Sequence, residues 1–431
     1  MICSTCVNPQ PLKDFINRKE LFGTCSYCNK VGQVVERHVL FDHILQLVDK
    51  NVATEEDLTH FELGLIHDCG SGEIAVQEID IVLADWLELG DDPYFDDLNA
   101  YVPERYLRNH AGDERHYYSD DGALEQNIYD EKWSQFVDGV RHSHRFFNPK
   151  AEGFLDSVFS LLFADSGKLK HEVVRTISRG QMLYRARTVQ SYAMAKKIAD
   201  SPHAELGPTP KDKAGSQRMT PSGIAALYCS LERKTCLSEI RSITGDEVVS
   251  VALTPTTQLK LLDLTKLGLV ESPKLTYFDD GYRDSLHLKT FLKSLVKKMS
   301  KPKGRNDELS YLSTQVVFEH LQHKFGTQVD GLVFPSVQTG EVGTNVVLFP
   351  EASVISVKQC DPFDAMGVVF MENPFGEPDE KLAVVKDSLR FHRIKAIKTT
   401  AVTYRELLDL YISDEVRNRL GFDIDQEVDD S

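Results

Sequence analysis

The stretch RMTPSGIAALYCSLERKTCLSE, residues Arg218–Glu239, decides how the rest of the chain is interpreted. Pro221–Gly223 is a strong turn signal, because proline and glycine both favour turn geometries. Ile224–Ser230 is a short apolar run and predicts a buried strand. Thr235–Arg241 predicts the first turns of a helix after a charged turn. The stretch therefore predicts a strand followed closely by a helix, within a mixed α/β segment.

Three side chains of this stretch have chemistry that suits a nucleotide site. Arg218 can bond phosphate oxygens bidentately through its guanidinium fork. Tyr228 offers a flat face to a nicotinamide ring. Glu239 can stabilise the positive ribose that forms as a glycosidic bond breaks. From the residues alone the alternative stays open, because most Arg and Glu side chains are solvated and a Tyr in an apolar strand usually belongs to the core.

Three separated blocks of the chain resemble the RES domain family, which is named for its Arg, Glu and Ser residues. The first block is LYRAR at 183–187 and the second is the stretch 218–239. The third is DGLVFPS at 330–336, followed by GTNVVLF at 343–349. Their order and spacing match the family over about residues 180 to 350. The resemblance implies a fold similar to that of ADP-ribosyltransferase toxins, and an enzyme that destroys NAD.

The resemblance also implies roles for the matching residues. Arg185 matches the first arginine of the family and, together with Arg218, is expected to hold the NAD phosphates. Tyr228 is expected to stack on the nicotinamide, and Glu239 to stabilise the oxocarbenium ribose. Arg218, Tyr228 and Glu239 are accordingly the predicted catalytic residues, while Arg185, Arg218 and Tyr228 are predicted to bind NAD.

Two polar residues of the third block are predicted to bind NAD as well. Ser336 follows the predicted strand Asp330–Phe334, and strand ends commonly carry functional residues in α/β proteins. No Gly-x-Ser-x-Gly elbow surrounds Ser336, so a binding or positioning hydroxyl is expected rather than a nucleophile. Asn345 opens the next predicted strand and is expected to bond a ribose or to support its loop, with an ordinary turn residue as the alternative.

The resemblance favours an enzyme that cleaves the nicotinamide–ribose bond of NAD, as a glycohydrolase or a phosphorylase. Transfer of ADP-ribose to a protein target is one alternative, because the residues do not choose the acceptor. A module that binds nucleotide or a partner without catalysis is another. Members of the family are often paired with a separate antitoxin, so an antitoxin protein is an expected partner.

Four of the eight cysteines lie at the N-terminus, as the pairs Cys3-x-x-Cys6 and Cys25-x-x-Cys28 with eighteen residues between them. Two intervening residues let a tight turn present both thiolates to one tetrahedral ion. A redox role is the alternative, but redox motifs do not usually come as two spaced pairs. The spacing therefore predicts a closed structural zinc site and not a catalytic one.

The fold class predicted for the whole chain is α+β. The predicted segments are a zinc knuckle over 1–30, a helical domain over 31–150, a connecting helix over 151–178, the RES domain over 179–365, and a C-terminal extension with an acidic tail over 366–431. The helical domain is predicted because apolar residues recur at three- and four-residue steps from Val31 onward. Helices between a cysteine-pair start and a RES block resemble the HEPN-type domain that precedes some RES domains.

Some HEPN domains elsewhere are ribonucleases with an Arg-x4-6-His motif. Arg105-x4-His110 and Arg37-x5-His43 both fit this loose pattern. With 14 histidines in the chain, chance matches are expected. A HEPN-type ribonuclease is therefore kept as an alternative function, and a scaffold or regulatory domain is the favoured interpretation.

Composition restricts the partners of the protein. The chain has 431 residues, is 41% hydrophobic and 27% charged, and carries a net charge of -17. A general affinity for nucleic acid is not expected, because it needs a basic surface. No apolar run approaches the length of a membrane span, and no signal-peptide pattern follows Met1. A cytoplasmic location without membrane partners is expected, and nothing in the sequence indicates the oligomeric state.

Overall fold

The structure is a computed structural model and describes residues 1–58, 63, 76–120, 128–164, 166–300, 309–340, 342–361, 380–397, 401–402 and 428–429. The chain divides into two compact units. Unit 1 contains the described residues of Met1–Glu131 and Ser272–Phe291, and unit 2 those of Lys132–Glu271 and Leu292–Val402. No helix within the described ranges is long and apolar enough to cross a membrane.

Unit 1 is built from short strands and helices. Its described strands are β1 (Ile2–Cys3), β2 (Phe22–Thr24), β3 (Val31–Val35), β4 (Ala53–Thr54), β5 (Val76–Gln77) and β6 (Tyr117–Tyr118). Its described helices are α1 (Gln10–Arg18), α2 (Arg37–Asn51), α3 (Ile79–Ile81) with the π-helical turn Val82–Trp86, α4 (Phe95–Tyr101) and α5 (Glu104–Leu107). The strands pair in the orders β1-β3-β2 and β4-β6-β5.

The periodicity from Val31 onward predicted helical structure, but the segment begins with a strand. Val31–Val35 forms β3, which pairs with both β1 and β2, and α2 begins only at Arg37. The valines fit a strand because β-branched side chains pack well on a pleated surface. α2 then buries the apolar stripe of Leu40, Ile44 and Val48. The helical prediction is therefore correct from Arg37 and wrong over β3.

Unit 2 carries the main sheet and its helices. The strands are β7 (Val174–Ile177), β8 (Leu183–Val189), β9 (Leu227–Ser230), β10 (Glu247–Pro255), β11 (Leu259–Asp263), β12 (Gly331–Pro335), β13 (Thr344–Leu348), β14 (Ile355–Cys360), β15 (Leu382–Val385), β16 (Arg390–Arg393), β17 (Ala401–Val402) and β18 (Val428–Asp429). The helices are α7 (Pro149–Phe159), α8 (Tyr192–Asp200), α9 (Pro202–Glu205), α10 (Arg233–Glu239) and α12 (Leu312–Phe325), while α6 (Ile128–His142) and α11 (Tyr282–Ser300) contain residues of both units.

The main sheet has ten strands in the order β14-β15-β10-β8-β9-β13-β12-β11-β7, and β16 also pairs with β10. The β11–β12 and β14–β15 pairs are parallel, whereas the other pairs are antiparallel. Apolar side chains of the sheet form one buried cluster that includes Leu183, Leu227 and Val346. A mixed α/β fold is thus confirmed for this part of the chain, and likeness to ADP-ribosyltransferases stays a prediction.

The segment predicted as a connecting helix over 151–178 is helical only at its start. α7 ends at Phe159 and a 3-10 turn follows at Ser160–Leu162. Val174–Ile177 is β7 at the edge of the main sheet, antiparallel to β11. Its alternating branched residues favour a strand over a helix. From the predicted extension over 366–431, β15 and β16 also belong to the sheet, while most of the acidic tail lies outside the described residues. The domain boundaries as a whole stay predictions.

The close antiparallel pairing of β12 and β13 requires glycine at position 331. A Cβ added to Gly331 would lie 2.2 Å from the carbonyl oxygen of Val347. We expect Gly331→Ala to lower the free energy of unfolding by about 2 kcal/mol, because the strands would have to separate. Urea denaturation followed by circular dichroism measures this loss. Gly215→Ala is the matched control, because an added Cβ there meets no atom within 4 Å. Equal midpoints for the two variants would contradict the expectation.

Candidate functional site

A cavity of about 410 Å³ opens in unit 2 beside neighbouring strands β8, β9 and β13. Arg185 of β8, Tyr228 of β9 and Asn345 of β13 line it, together with Arg218 and Glu239. The structure therefore brings five of the six sequence-predicted NAD-site residues around one cavity. The sixth, Ser336, is fully buried and reaches the cavity only through Glu239.

The carboxylate of Glu239 is held by one of its two oxygens. Oε1 accepts a hydrogen bond of 2.5 Å from Ser336 Oγ and another of 2.8 Å from Asn345 Nδ2. Both donors are buried, so water does not compete for these bonds. Oε2 makes no hydrogen bond to any residue that the structure describes. Glu239 thus lines the cavity with a carboxylate that is held through Oε1 and whose Oε2 no described residue engages.

The helix that ends at Glu239 is fixed to the sheet at its beginning. Glu232 precedes α10, and its Oε2 accepts hydrogen bonds from Thr235 Oγ1 at 2.9 Å and from the Thr344 N–H at 3.0 Å. A Cβ added at Gly343 would lie 2.2 Å from Thr235 Oγ1, so only glycine lets α10 approach β13 this closely. This close approach of α10 to β13 places Glu239 within hydrogen-bond distance of Asn345.

The amide of Asn345 is oriented by a neighbouring strand. Ser230 Oγ at the end of β9 donates to Asn345 Oδ1 at 2.8 Å. Because Oδ1 accepts this bond, the Nδ2 group faces Glu239 and donates to it. Two roles were expected for Asn345, a ribose contact or support of its loop. In the structure its side chain supports the carboxylate of Glu239 rather than a loop.

The loop that carries Arg218 is anchored from α12. The Gln217 N–H donates to the Thr220 carbonyl at 2.8 Å and closes a tight turn around Arg218. Gln315 Nε2 donates to Ser216 Oγ at 2.9 Å and to the Gln217 carbonyl at 2.7 Å. The half-buried Arg218 has no hydrogen bond or ion pair with the described part of the chain. Its guanidinium is therefore available to an anionic ligand.

Tyr228 anchors the same loop through its hydroxyl group. The Met219 N–H donates to Tyr228 Oη at 3.0 Å, and Thr220 Oγ1 lies 3.3 Å from Oη. Burial raises the pKa of Tyr228 to about 12, so the hydroxyl stays protonated at physiological pH. A stacking role would use only the ring of Tyr228. The hydroxyl group has a separate role in holding the Arg218 loop, which the sequence did not indicate.

Arg185 uses part of its guanidinium on the protein backbone. Nη1 donates to the Tyr228 carbonyl at 2.8 Å and Nη2 to the Gly207 carbonyl at 3.2 Å. Desolvation lowers the pKa of Arg185 below its usual value. Arg185 lies in the middle of β8, which pairs with β10 from Leu183 to Val189. Arg185 therefore ties β8 to β9 at the floor of the cavity.

Arg241 and Tyr311 also line the cavity, and the sequence analysis did not include them among the candidate site residues. Arg241 follows α10 two positions after Glu239 and has the left-handed φ of 49°. Tyr311 directly precedes α12 and lies one helical turn before Gln315. The only sequence signal for Arg241 was its closeness to Glu239, and Tyr311 had only its i, i+4 spacing to Gln315.

The Arg-x4-6-His matches lie in unit 1 and engage separate neighbours. Arg37 contacts Asp97, His43 stacks on Phe15, Arg105 contacts Tyr106, and His110 lies by Glu56. A ribonuclease site of this kind needs its arginine and histidine to act on one substrate bond. These contacts give no support to such a site at either match.

The four N-terminal cysteines come together as a candidate metal centre. All four Sγ atoms lie within 4.8 Å of one another, with 3.5 Å between Cys3 and Cys28 and 3.8 Å between Cys6 and Cys25. Zinc bound tetrahedrally at about 2.3 Å from each sulfur requires about 3.8 Å between sulfurs. The thiol set and its spacing therefore fit a metal ion, and zinc stays the predicted one.

Residues 182–364 match the family model described as the RES domain. The matched segment contains all three blocks on which the resemblance rested, and it covers less than half of the chain. No curated protein matches the chain. The resemblance to the RES family is thus supported over this segment. The HEPN-type resemblance of the N-terminal part has no matching family model.

We expect Cys25→Ser to lose bound zinc and to melt at a lower temperature. Binding energy in a structural zinc site is folding energy, so one missing thiolate destabilises the unit. Elemental analysis under reducing conditions should find about one zinc per wild-type chain. Cys360→Ser is the control, because Cys360 is buried in unit 2 and should leave the zinc content unchanged. Zinc-free wild-type protein with disulfide-bonded N-terminal cysteines would favour the redox role.

We expect Tyr228→Phe to loosen the Arg218 loop. The change leaves the Met219 N–H without its acceptor, which costs about 1–3 kcal/mol for a buried donor. Hydrogen exchange of the peptide over 216–220 should therefore become faster. Tyr184→Phe is a matched control in β8, because the Tyr184 hydroxyl contacts only the Met182 sulfur, at 3.7 Å, among the described residues. Unchanged protection of the loop in Tyr228→Phe would contradict this assignment.

Proposed function

We propose that the cavity in unit 2 binds NAD and that the protein cleaves the nicotinamide–ribose bond. RES domains are generally linked to NAD-related toxin activity, and residues 182–364 match one. The observation that carries the proposal is the arrangement of Glu239. Its Oε1 is held by Ser336 and Asn345, while Oε2 makes no hydrogen bond to a described residue. Arg218, which has no partner among the described residues either, lines the same cavity.

Bond cleavage separates charge in a way that suits this carboxylate. The electron pair of the carbon–nitrogen bond leaves with nicotinamide, which becomes neutral, and the ribose C1′ becomes positive. Oε2 of Glu239 offsets this charge mainly in the transition state, and such differential stabilisation raises turnover. Ser336 and Asn345 already hold the carboxylate, so little reorganisation is needed as the charge develops.

An acceptor then bonds to the ribose C1′. Water gives ADP-ribose and releases a proton to solvent, which is the glycohydrolase reaction. Phosphate gives the phosphorylase product, and a nucleophilic side chain of another protein gives an ADP-ribosylated target. All three reactions share the cleavage step at Glu239. Identification of the product by mass assigns the acceptor.

The other cavity residues suit the remaining parts of NAD. Arg218 offers the diphosphate a guanidinium that no described residue engages, and the Tyr228 ring offers a face to the nicotinamide. Arg185 contributes positive charge at the cavity floor, although two of its N–H groups bond backbone carbonyls. A volume of about 410 Å³ lies within the range of small-molecule sites, which extends from about 300 to 1,000 Å³.

Consumption of NAD would harm the cell that makes the protein, so we expect a neutralising antitoxin as partner and a cytoplasmic place of action. The four-cysteine centre serves stability in this scheme, since a closed zinc site has no open position for substrate. A ribonuclease and a purely nucleotide-binding module would both leave NAD intact in the assay below.

We expect Glu239→Gln to lower the turnover of NAD on the order of a hundredfold or more, with little change in binding. The amide keeps the size of the side chain and removes the charge that offsets the ribose cation. Purified protein is incubated with NAD, and the products are followed by mass. Glu247→Gln is the control, because this carboxylate pairs with Arg393 outside the cavity lining. Full turnover by folded Glu239→Gln, or none by a toxic wild type, would reject the proposal.

A further inference from the structure

Arg241 occupies an unusual place at the cavity. It follows the last residues of α10, and its backbone has the left-handed φ of 49°, which glycine and asparagine usually supply after a helix. The Arg241 N–H donates to the Ser238 carbonyl at 3.3 Å, which closes the turn. The exposed guanidinium makes no hydrogen bond or ion pair with the residues that the structure describes. An arginine in a conformation that disfavours it invites a functional explanation.

The charges that line the cavity favour an anionic ligand. Its cations are Arg185, Arg218 and Arg241, and its one acidic residue among the described lining residues is Glu239. Arg185 already bonds two backbone carbonyls, whereas Arg218 and Arg241 are both unpaired within the described ranges. The chain as a whole carries a net charge of -17, so this local excess of positive charge is a specific feature of the cavity.

We propose that Arg241 binds the diphosphate of the ligand together with Arg218, and that the cavity therefore selects nucleoside diphosphates over uncharged nucleosides. The inference rests on the proposed function in so far as the cavity must admit a nucleotide. Two guanidinium forks match two adjacent phosphate groups, because each fork can bond two oxygens of one phosphate. Arg185 then acts as a positioning residue that joins β8 to β9, and Arg241 takes the second phosphate contact.

Calorimetric titration of the full chain with ADP and with adenosine tests the inference without any turnover. Arg241→Asn removes the charge, and asparagine tolerates the left-handed backbone that the turn requires. We expect this variant to bind ADP about tenfold or more weakly than the wild type, because a charge-assisted hydrogen bond is lost. Affinity for adenosine should not change, and Arg241→Lys should lie between the two proteins for ADP.

Lys234→Ala provides a matched control. Lys234 is an exposed cation on the same helix, and it does not line the cavity. Its removal changes the net charge by the same amount as Arg241→Asn, so a general electrostatic effect would weaken both variants equally. Melting temperatures of all variants show that the fold is kept.

The outcomes separate this inference from the proposed function. The inference would be overturned if Arg241→Asn bound ADP as tightly as the wild type does. It would also be overturned if Arg241→Asn lost as much affinity for adenosine as for ADP, or if Lys234→Ala lost as much affinity for ADP as Arg241→Asn does. Selective loss of ADP binding supports it, even if the wild type cleaves no NAD. Conversely, Arg241→Asn could cleave NAD at the wild-type rate and with an unchanged KM. That result would leave the proposed reaction standing and reject the role of Arg241.

Discussion

The cavity depends on two hydrogen bonds to a single oxygen atom. Ser336 and Asn345 both donate to Glu239 Oε1, and each comes from a different part of the sheet. Ser336 follows β12, Asn345 lies in β13, and Ser230 at the end of β9 orients Asn345. The carboxylate keeps its position only while these three strands stay paired. The register of the sheet therefore determines the position of the Glu239 carboxylate.

The Arg218 loop depends on a similar arrangement of distant partners. Gln315 of α12 donates hydrogen bonds to Ser216 Oγ and to the Gln217 carbonyl of the loop. The Tyr228 hydroxyl accepts a hydrogen bond from the Met219 N–H of the same loop. The backbone carbonyl of Tyr228 also accepts a hydrogen bond from the Arg185 guanidinium. One residue of β9 thus connects the Arg218 loop with β8. The side chain of Tyr228 holds the Arg218 loop, and its backbone carbonyl holds Arg185.

Local sequence signals predicted part of this arrangement well. The apolar run before Ser230 became β9 from Leu227, the following charged turn led into α10, and the cysteine spacing predicted a cluster of four thiols. The three separated blocks also fall within the segment that matches the RES family. Periodicity failed at β3, because a valine-rich segment satisfies both a helical and a strand pattern when its pairing partners are unknown.

The fixed oxygen of Glu239 could not be predicted, because it arises from residues about a hundred positions apart whose strands become neighbours only in the folded sheet. The same holds for Arg241, which has no hydrogen-bond or ion-pair partner in the part of the chain that the structure describes.

The order of the strands also limits what can be excised from the chain. The segment 182–364 ends before β15 and β16 and begins after β7, so it lacks three strands of the sheet. β10 would then lose both partners on one side and present bare N–H and C=O groups, which invite pairing with other chains. A fragment cut at the limits of sequence similarity would therefore be prone to aggregate, and recombinant work on the cavity should retain the chain from before β7 through β16.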